Sequence, residues 1–164
     1  MLNIIEKIIS AAYYFACICC VVMLLLTFEQ VVARYFFSAS STAFQELEWH
    51  LFGIVFLLSS AYALKNDTHV RVDIFYSKFS DKTKCLVNTL YLACFLIPAT
   101  TLIIYHGYQY TLEAYSIGEV SPNPGGLGAR WVIKALIPLS FILLALQAFA
   151  ELIKLRQSWN SNES

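Results

Sequence analysis

The sequence has little charge and carries no motif for nucleotide chemistry. Only 13% of its 164 residues are Asp, Glu, Lys or Arg, about half the share that is usual in soluble domains. The formal net charge is zero, and no long basic run is present that would bind nucleic acid. The GxxxxGK[ST] pattern of phosphate-binding loops is also absent. These absences exclude a nucleic-acid partner and ATP hydrolysis by a phosphate loop.

The sequence contains four long apolar stretches that carry no charged residue. No Asp, Glu, Lys or Arg occurs in residues 8–28, 49–64, 85–112 and 135–150, which together make up 81 residues, or half of the chain. A soluble domain of this size has too little interior to bury so much apolar surface. The first stretch is longer than the apolar region of a signal peptide, and no A-x-A site follows it. The sequence therefore predicts a multi-pass membrane protein that keeps its first stretch as a helix.

Four transmembrane helices in one all-α domain, residues 1–164, account for this pattern. We predict spans at about 4–37, 44–64, 82–112 and 129–155 and a loose tail at 156–164. The short turn between the first two spans makes them antiparallel neighbours. Ser80 is the predicted N-cap of the third span, and Pro98 predicts a kink within it. Two Pro and three Gly within residues 121–128 predict an irregular loop.

The distribution of Lys and Arg predicts the orientation of these spans. Cytoplasmic loops of membrane proteins carry an excess of these residues. One side of the predicted bundle has three, and the other has eight. Both termini are therefore predicted to be cytoplasmic, and the Pro/Gly loop faces the periplasm of a bacterial inner membrane. The larger set comprises Lys7, Lys65, Arg71, Lys78, Lys82, Lys84, Lys154 and Arg156, and the smaller one Arg34, Arg130 and Lys134.

Ionisable residues concentrate where the first two spans meet. Arg34 precedes the turn, and Glu46, Glu48 and His50 follow it, with Glu46 and His50 on one helical face. We expect Arg34 to pair with Glu46 or Glu48, because a carboxylate offsets the cost of an arginine near hydrocarbon. Three interpretations remain open for this group: a brace between helices, a protonation or cation site, and a contact with a partner protein.

The loop between the second and third spans has ionic residues at every second position. His69, Arg71 and Asp73 lie on one side of an extended segment, and lysines follow them. We expect a short interfacial segment along the lipid headgroups, whose basic residues contact anionic phospholipid. An Arg–Asp pair is expected to fix this loop.

The sequence has few features that indicate a cofactor, metal or catalytic site. The cysteines of the first span have no histidine or acidic neighbour to complete a metal site, and no catalytic constellation is recognisable. We predict no cofactor and no enzymatic activity. His50 and His106 near one end of their helices leave a haem- or quinone-linked membrane anchor as an alternative function.

An ordered set of motifs runs through most of the chain. It resembles the small membrane subunit of tripartite ATP-independent periplasmic (TRAP) transporters, the DctQ-like family. The motifs are Glu46-Leu47-Glu48-Trp49-His50, the stretch His69-Val70-Arg71-Val72-Asp73, the stretch Asn123-Pro124-Gly125-Gly126 with Arg130-Trp131, and Ile133-Lys134 with Ile137-Pro138.

The resemblance implies a scaffold role. A large DctM-like membrane subunit would carry the substrate and sodium sites and move as an elevator, and a periplasmic DctP-like protein would deliver a small organic acid. The small subunit would enlarge the static part of this secondary-active importer. A self-sufficient small homodimeric transporter is the other alternative, but it needs an acidic residue deep in the membrane.

Residue roles follow from the resemblance as hypotheses. Arg34, Glu46 and Glu48 would brace the first two helices and meet the large subunit, with His50 beside them. His69, Arg71 and Asp73 would anchor the cytoplasmic loop. The surface where the binding protein lands would be shaped by Asn123, Pro124, Gly125, Gly126, Arg130 and Trp131, and Lys134 and Gln147 would make polar contacts across the subunit interface.

Overall fold

A computed structural model describes residues 2–66 and 79–161, with the side chains of residues 81 and 158–161 left aside. Four of its helices are long and apolar enough to cross a membrane, and no strand occurs among the described residues. The predicted fold class, an all-α protein with four membrane-spanning helices, is therefore confirmed. The spans are Leu2–Phe37, Thr42–Lys65, Lys82–Ser116 and Trp131–Gln157.

The helices extend somewhat further than the sequence indicated. The third span continues past residue 112 to Ser116, and the last helix continues to Ser161, so residues 156–161 are helical where a loose tail was expected. A polar segment can form a helix without an apolar face. The change from apolar to polar residues after residue 155 was therefore a poor guide to where the last helix ends. The elements are α1 (Leu2–Phe37), α2 (Thr42–Lys65), α3 (Asp81–Leu90), a π-helical segment (Tyr91–Leu96), α4 (Ile97–Ser116) and α5 (Trp131–Ser161).

Helices α1 and α2 form an antiparallel pair. At one end, the amide of Gln30 donates a hydrogen bond to the carbonyl oxygen of Ser41 at 3.5 Å. At the other end, Lys65 Nζ donates to Ser10 Oγ at 3.0 Å. Contacts at both ends of the pair mean that the two helices pack over most of the length of α2.

The third span runs from a capped start through a π-helical segment to Ser116. The hydroxyl of Ser80 accepts a hydrogen bond from the backbone N–H of Thr83, which confirms the predicted N-cap. The π-helical turn ends just before Pro98. Proline lacks the N–H that an α-helix requires, and a widened turn adjusts the backbone around it.

Helix α5 lies at the centre of the bundle. It packs on α4 and on α2, whereas α2 and the third span pack on α5 rather than broadly on each other. A Cβ at Gly107 of α4 would come within 3.2 Å of Pro138 Cδ on α5, so glycine allows these two helices to approach closely. The buried core comprises Ile9, Ala61, Leu64, Leu92, Leu144 and Ala148.

Most of the apolar surface of the spans faces outwards. Only 11–22% of the most apolar stretch of each span is buried inside the chain, and large side chains such as Phe28, Phe56 and Phe95 are exposed. Water would not tolerate so much exposed apolar surface, whereas lipid does. Because Lys154 Nζ lies 2.8 Å from Glu6 Oε1, the beginning of α1 and the end of α5 share one end of the bundle. The assignment of that end to the cytoplasm stays a prediction.

Candidate functional site

A buried glutamate near the start of α2 holds the loop that connects α4 to α5. Glu46 is 4% exposed, and its carboxylate accepts hydrogen bonds from the Ser121 hydroxyl, from Asn123 Nδ2 at 3.2 Å and from the backbone N–H of Leu127 at 2.7 Å. All three donors belong to residues 117–130, which we call the connecting loop. We call Glu46 with its three donors the Glu46 clasp.

The backbone of the connecting loop is shaped to reach this carboxylate. The loop closes on itself through hydrogen bonds from Ser121 N to Leu127 O and from Gly126 N to Asn123 O, both at 3.0 Å. A Cβ at Gly126 would come within 2.5 Å of Ser121 Cβ and 2.9 Å of Glu46 Oε2. Gly126 is therefore required for the loop to approach the carboxylate.

The Glu46 clasp replaces the ion pair that the sequence suggested. Among the described residues, no ion pair within 4 Å joins Arg34 to Glu46 or to Glu48, and Arg34 is exposed at the end of α1. The predicted pairing is therefore wrong in this chain. An ionised carboxylate has only acceptor sites, and neutral donors of the connecting loop fill those of Glu46.

Two further predicted residues of α2 have different surroundings. Glu48 is half-buried, and its Oε1 atom is shielded from solvent and has no hydrogen-bond partner. The His50 ring lies beside the Trp49 ring, with the centroids 4.0 Å apart, and its Nδ1 contacts the backbone carbonyl oxygen of Glu46. Glu46 and His50 share a helical face as expected, but the imidazole meets the backbone rather than the carboxylate.

The basic residues after the loop are used within the chain. Arg130 places its guanidinium carbon 5.4 Å from the centre of the Trp49 ring, a cation–π distance. Lys134 forms an ion pair with Glu119 of the connecting loop and lies 3.8 Å from the centre of the Tyr110 ring. The Trp131 ring meets the Tyr115 ring edge-on at 5.4 Å. Lys134, predicted to contact a partner, thus joins the loop to α5 and α4.

The tip of the connecting loop is exposed. Asn123, Pro124 and Gly125 lie at the surface, and Gly125 has a φ of 74°, which favours glycine. The Glu46 clasp lies directly beneath this tip, so the exposed residues are presented on a fixed base.

A second polar cluster lies at the opposite end of the bundle. Gln147, which is fully buried, donates a hydrogen bond to Glu151 Oε1 at 2.6 Å. Lys154 donates to the same oxygen at 3.0 Å and pairs with Glu6 of α1 at 2.8 Å. Gln147 therefore bonds within α5 through its amide nitrogen, whereas its Oε1 atom is buried and has no hydrogen-bond partner among the described residues. Its predicted contact with a partner protein stays a prediction. We call the end with Glu46 and the connecting loop the loop end, and the end with Glu6 and Lys154 the terminal end.

Sequence reasoning missed several residues of these clusters. Ser121 and Leu127 lie at least 75 residues from Glu46, and nothing in their identity indicates that they donate to it. The only signal for the clasp was the density of Gly and Pro in the loop. Glu119 and Lys134 are 15 residues apart across the same loop, a spacing that suits an ion pair once the loop folds back.

Some predicted site residues fall elsewhere or outside the structure. His69, Arg71 and Asp73 lie outside the described residues, as does the predicted interfacial segment. The His106 ring meets the Tyr105 ring edge-on. No group of three or more His, Cys, Asp or Glu residues that could hold a metal ion occurs among residues 2–66 and 79–161. The clusters that do form join helices and a loop by hydrogen bonds and ion pairs.

Comparison with known proteins agrees with a transport role. The family profile described as tripartite ATP-independent periplasmic transporters, DctQ component, matches residues 23–158, which is most of the chain. The match includes the Glu46 clasp, the whole connecting loop and residues 23–37 of α1. No curated protein matches the chain.

Proposed function

The chain belongs to the family of DctQ components of TRAP transporters, and on that premise we propose that it is the static small membrane subunit of such a transporter. It pairs with a large DctM-like membrane subunit, and a periplasmic DctP-like protein delivers the substrate. The complex imports a small organic acid by secondary-active transport, coupled to an ion gradient, most simply that of Na⁺. The substrate and ion sites lie in the large subunit.

A static role is supported by the observation that polar side chains at the ends of the bundle bind other groups of the same chain. Glu46, Lys134 and Lys154 each bind other groups of this chain at the ends of the bundle. Between the ends, the helices present mainly apolar side chains outwards. A subunit built in this way joins its own helices at both ends of the bundle and offers an apolar wall to a moving neighbour.

The connecting loop is the proposed contact with the binding protein. The Lys and Arg distribution supports a bundle whose terminal end is cytoplasmic and whose loop end faces the periplasm. In that orientation the exposed tip at Asn123, Pro124 and Gly125 points towards an arriving protein. Gly126 and the Glu46 clasp keep the tip in one shape, and a preformed surface loses less entropy on binding than a mobile one.

Residues without a partner in the chain are the proposed contacts with the large subunit. The shielded Oε1 of Glu48 needs a hydrogen-bond donor, and a donor from the large subunit would satisfy it. Arg34, which lies in α1 on the other side of the turn from Glu48, is exposed and is the second proposed contact. The spacing of His69, Arg71 and Asp73 in the sequence supports an anchor for the cytoplasmic loop, with nearby basic residues on anionic phospholipid.

Affinity purification of the chain from its native membrane, followed by mass spectrometry, tests this proposal. A large membrane protein in stoichiometric amount is the expected companion. Recovery of the chain alone would favour a self-sufficient homodimer, and a pigmented preparation would favour a haem-linked anchor; either result would contradict the proposal.

Substitutions then test the residue roles within the complex. Arg34→Ala and Arg71→Ala are expected to lower both co-purification of the large subunit and solute uptake. Lys7→Ala, at an exposed basic residue of α1, is the control and leaves both unchanged. Unchanged recovery and uptake in the Arg34 and Arg71 variants would show that these residues do not contribute to assembly.

A further inference from the structure

A cavity opens beside the Glu46 clasp, between α2, α4 and α5. Its volume is about 300 Å³. Helix α5 forms its floor, and because α2 and α4 pack on α5 rather than broadly on each other, the space between them stays open. Arg130 and Lys134 lie with Trp49 at its polar end, together with Glu119, the carboxylate that pairs with Lys134. Gly53, Leu57 and Ile137 line the apolar remainder.

The polar end holds a cation that forms no ion pair within 4 Å among the described residues, and the Glu46 carboxylate acts on it only at longer range. Lys134 is paired with Glu119, but no carboxylate of the described residues lies within 4 Å of Arg130 in an ion pair. The Arg130 guanidinium lies over the Trp49 ring and is half-buried. A guanidinium in this position favours an anion with two oxygens in one plane, and phosphate meets that geometry with two parallel hydrogen bonds.

The apolar end of the cavity is lined by a glycine and by aliphatic side chains. A Cβ at Gly53 would meet only Ile133 Cδ1, at 3.6 Å, so glycine leaves the entrance from α2 open. Leu57 and Ile137 lie one helical turn deeper than Gly53 and Ile133, which extends the apolar part by about 5 Å. The volume would hold only two or three residues of an α-helix, taken as a cylinder about 10 Å wide. A partner helix therefore does not fit inside the cavity, whereas a flexible chain does.

We propose that this cavity binds a phospholipid of the leaflet at the loop end. The lipid phosphate binds the Arg130 guanidinium, and the upper part of one acyl chain lies between α2 and α5 against Gly53 and Leu57. The bound lipid pairs with Arg130 and fills the gap between α2 and α4. This inference does not rest on the proposed scaffold function, because it concerns only groups of this chain.

Native mass spectrometry of the full chain, with any subunits that co-purify, tests the proposal. The probe is palmitoyl-oleoyl phosphatidylglycerol, added to delipidated protein and then diluted. The unaltered chain is expected to retain one lipid. Arg130→Gln, which removes the charge, and Gly53→Leu, which fills the apolar part and keeps every charge, are each expected to lower retention roughly ten-fold.

The control and the competitor make the result specific. Lys7→Gln removes an exposed cation of α1 at the terminal end, which does not line the cavity, and is expected to retain the lipid. Glycerophosphate, which has the same phosphate chemistry but no acyl chain, is expected not to compete. Circular dichroism of each variant confirms that helix content is unchanged.

Three results would overturn the proposal. The first is retention by Arg130→Gln and Gly53→Leu that equals that of the unaltered chain. The second is a loss in Lys7→Gln as large as that in Arg130→Gln, which would indicate a non-specific charge effect. The third is displacement of the lipid by glycerophosphate, which would indicate a site for free anions. If Arg130→Gln does not fold, Gly53→Leu decides the question alone.

Discussion

The two ends of the bundle are held together by different kinds of interaction. At the loop end, one buried carboxylate accepts hydrogen bonds from two side chains and one backbone N–H of a single loop. At the terminal end, Lys154 lies between Glu6 of α1 and Glu151 of its own helix, and its side chain is 37% exposed. Lys134 and Lys154 are twenty residues apart on α5, so the two ends are separated by about 30 Å, the thickness of a hydrocarbon core.

This difference indicates that the contacts of the loop end depend on the shape of the backbone, whereas those of the terminal end depend on charge. Hydrogen bonds to a buried carboxylate require each donor at a defined place, so the loop end tolerates little change in the backbone. An exposed ion pair between long side chains adjusts easily and contributes little. We therefore expect substitutions at the loop end to have larger effects than comparable ones at the terminal end.

The largest expected effect is that of removing the carboxylate at the loop end. Glu46→Ala leaves the Ser121, Asn123 and Leu127 donors without their acceptor, and an unpaired buried donor carries its full desolvation cost. Proteolysis within residues 117–130 is expected to become roughly ten-fold faster or more. Glu113→Ala, at an exposed carboxylate of α4, is the control and leaves the rate unchanged. Equal rates in both variants would show that the loop does not depend on Glu46.

The next largest effect comes from a single added methyl group in the connecting loop. Gly126→Ala places a Cβ within 2.5 Å of Ser121 Cβ and is expected to lower the free energy of unfolding by about 1–3 kcal/mol. Gly128→Ala is the matched control, because its Cβ would meet nothing closer than Val120 Cγ1 at 4.0 Å. Thermal unfolding in detergent measures both. A loss no larger for Gly126→Ala than for Gly128→Ala would remove the argument for a tightly fitted loop.

A smaller effect is expected from the ion pair that joins the loop to α5. Lys134→Met keeps the apolar stem but removes the contacts with Glu119 and the Tyr110 ring. The expected loss is about 1 kcal/mol, measured by the same unfolding method. The double variant with Glu119→Gln should lose little more than Lys134→Met, because both remove one interaction. Fully additive losses would show that the two side chains act independently.

The smallest effect is expected at the terminal end. Lys154→Ala should cost about 0.5 kcal/mol, and the difference from the unaltered chain should shrink when the salt concentration is raised from about 0.1 M to about 1 M. The same change in salt should leave the loss in Gly126→Ala unchanged, because that loss is steric. A salt-independent loss in Lys154→Ala would contradict the assignment of this end to exposed electrostatics.

The sequence predicted the spans better than the contacts between them. Charge-free stretches locate membrane helices because hydrocarbon excludes charge, and the Ser80 cap was readable because capping is local. Glu46 has a partner loop far away in sequence, so proximity in the chain favoured Arg34 wrongly. The fit at Gly126 depends on backbone shape, which composition does not encode. The polar residues 156–161 also gave no indication in the sequence that α5 continues to Ser161.

Solute uptake into proteoliposomes tests the central claim, a static subunit that transports nothing by itself, most directly. The chain alone, the co-purified large subunit alone and the two together are compared, each with the periplasmic binding protein and an imposed sodium gradient. We predict uptake only when the two membrane subunits are present together. Uptake by the chain alone would contradict the account, as would full uptake by the large subunit without it.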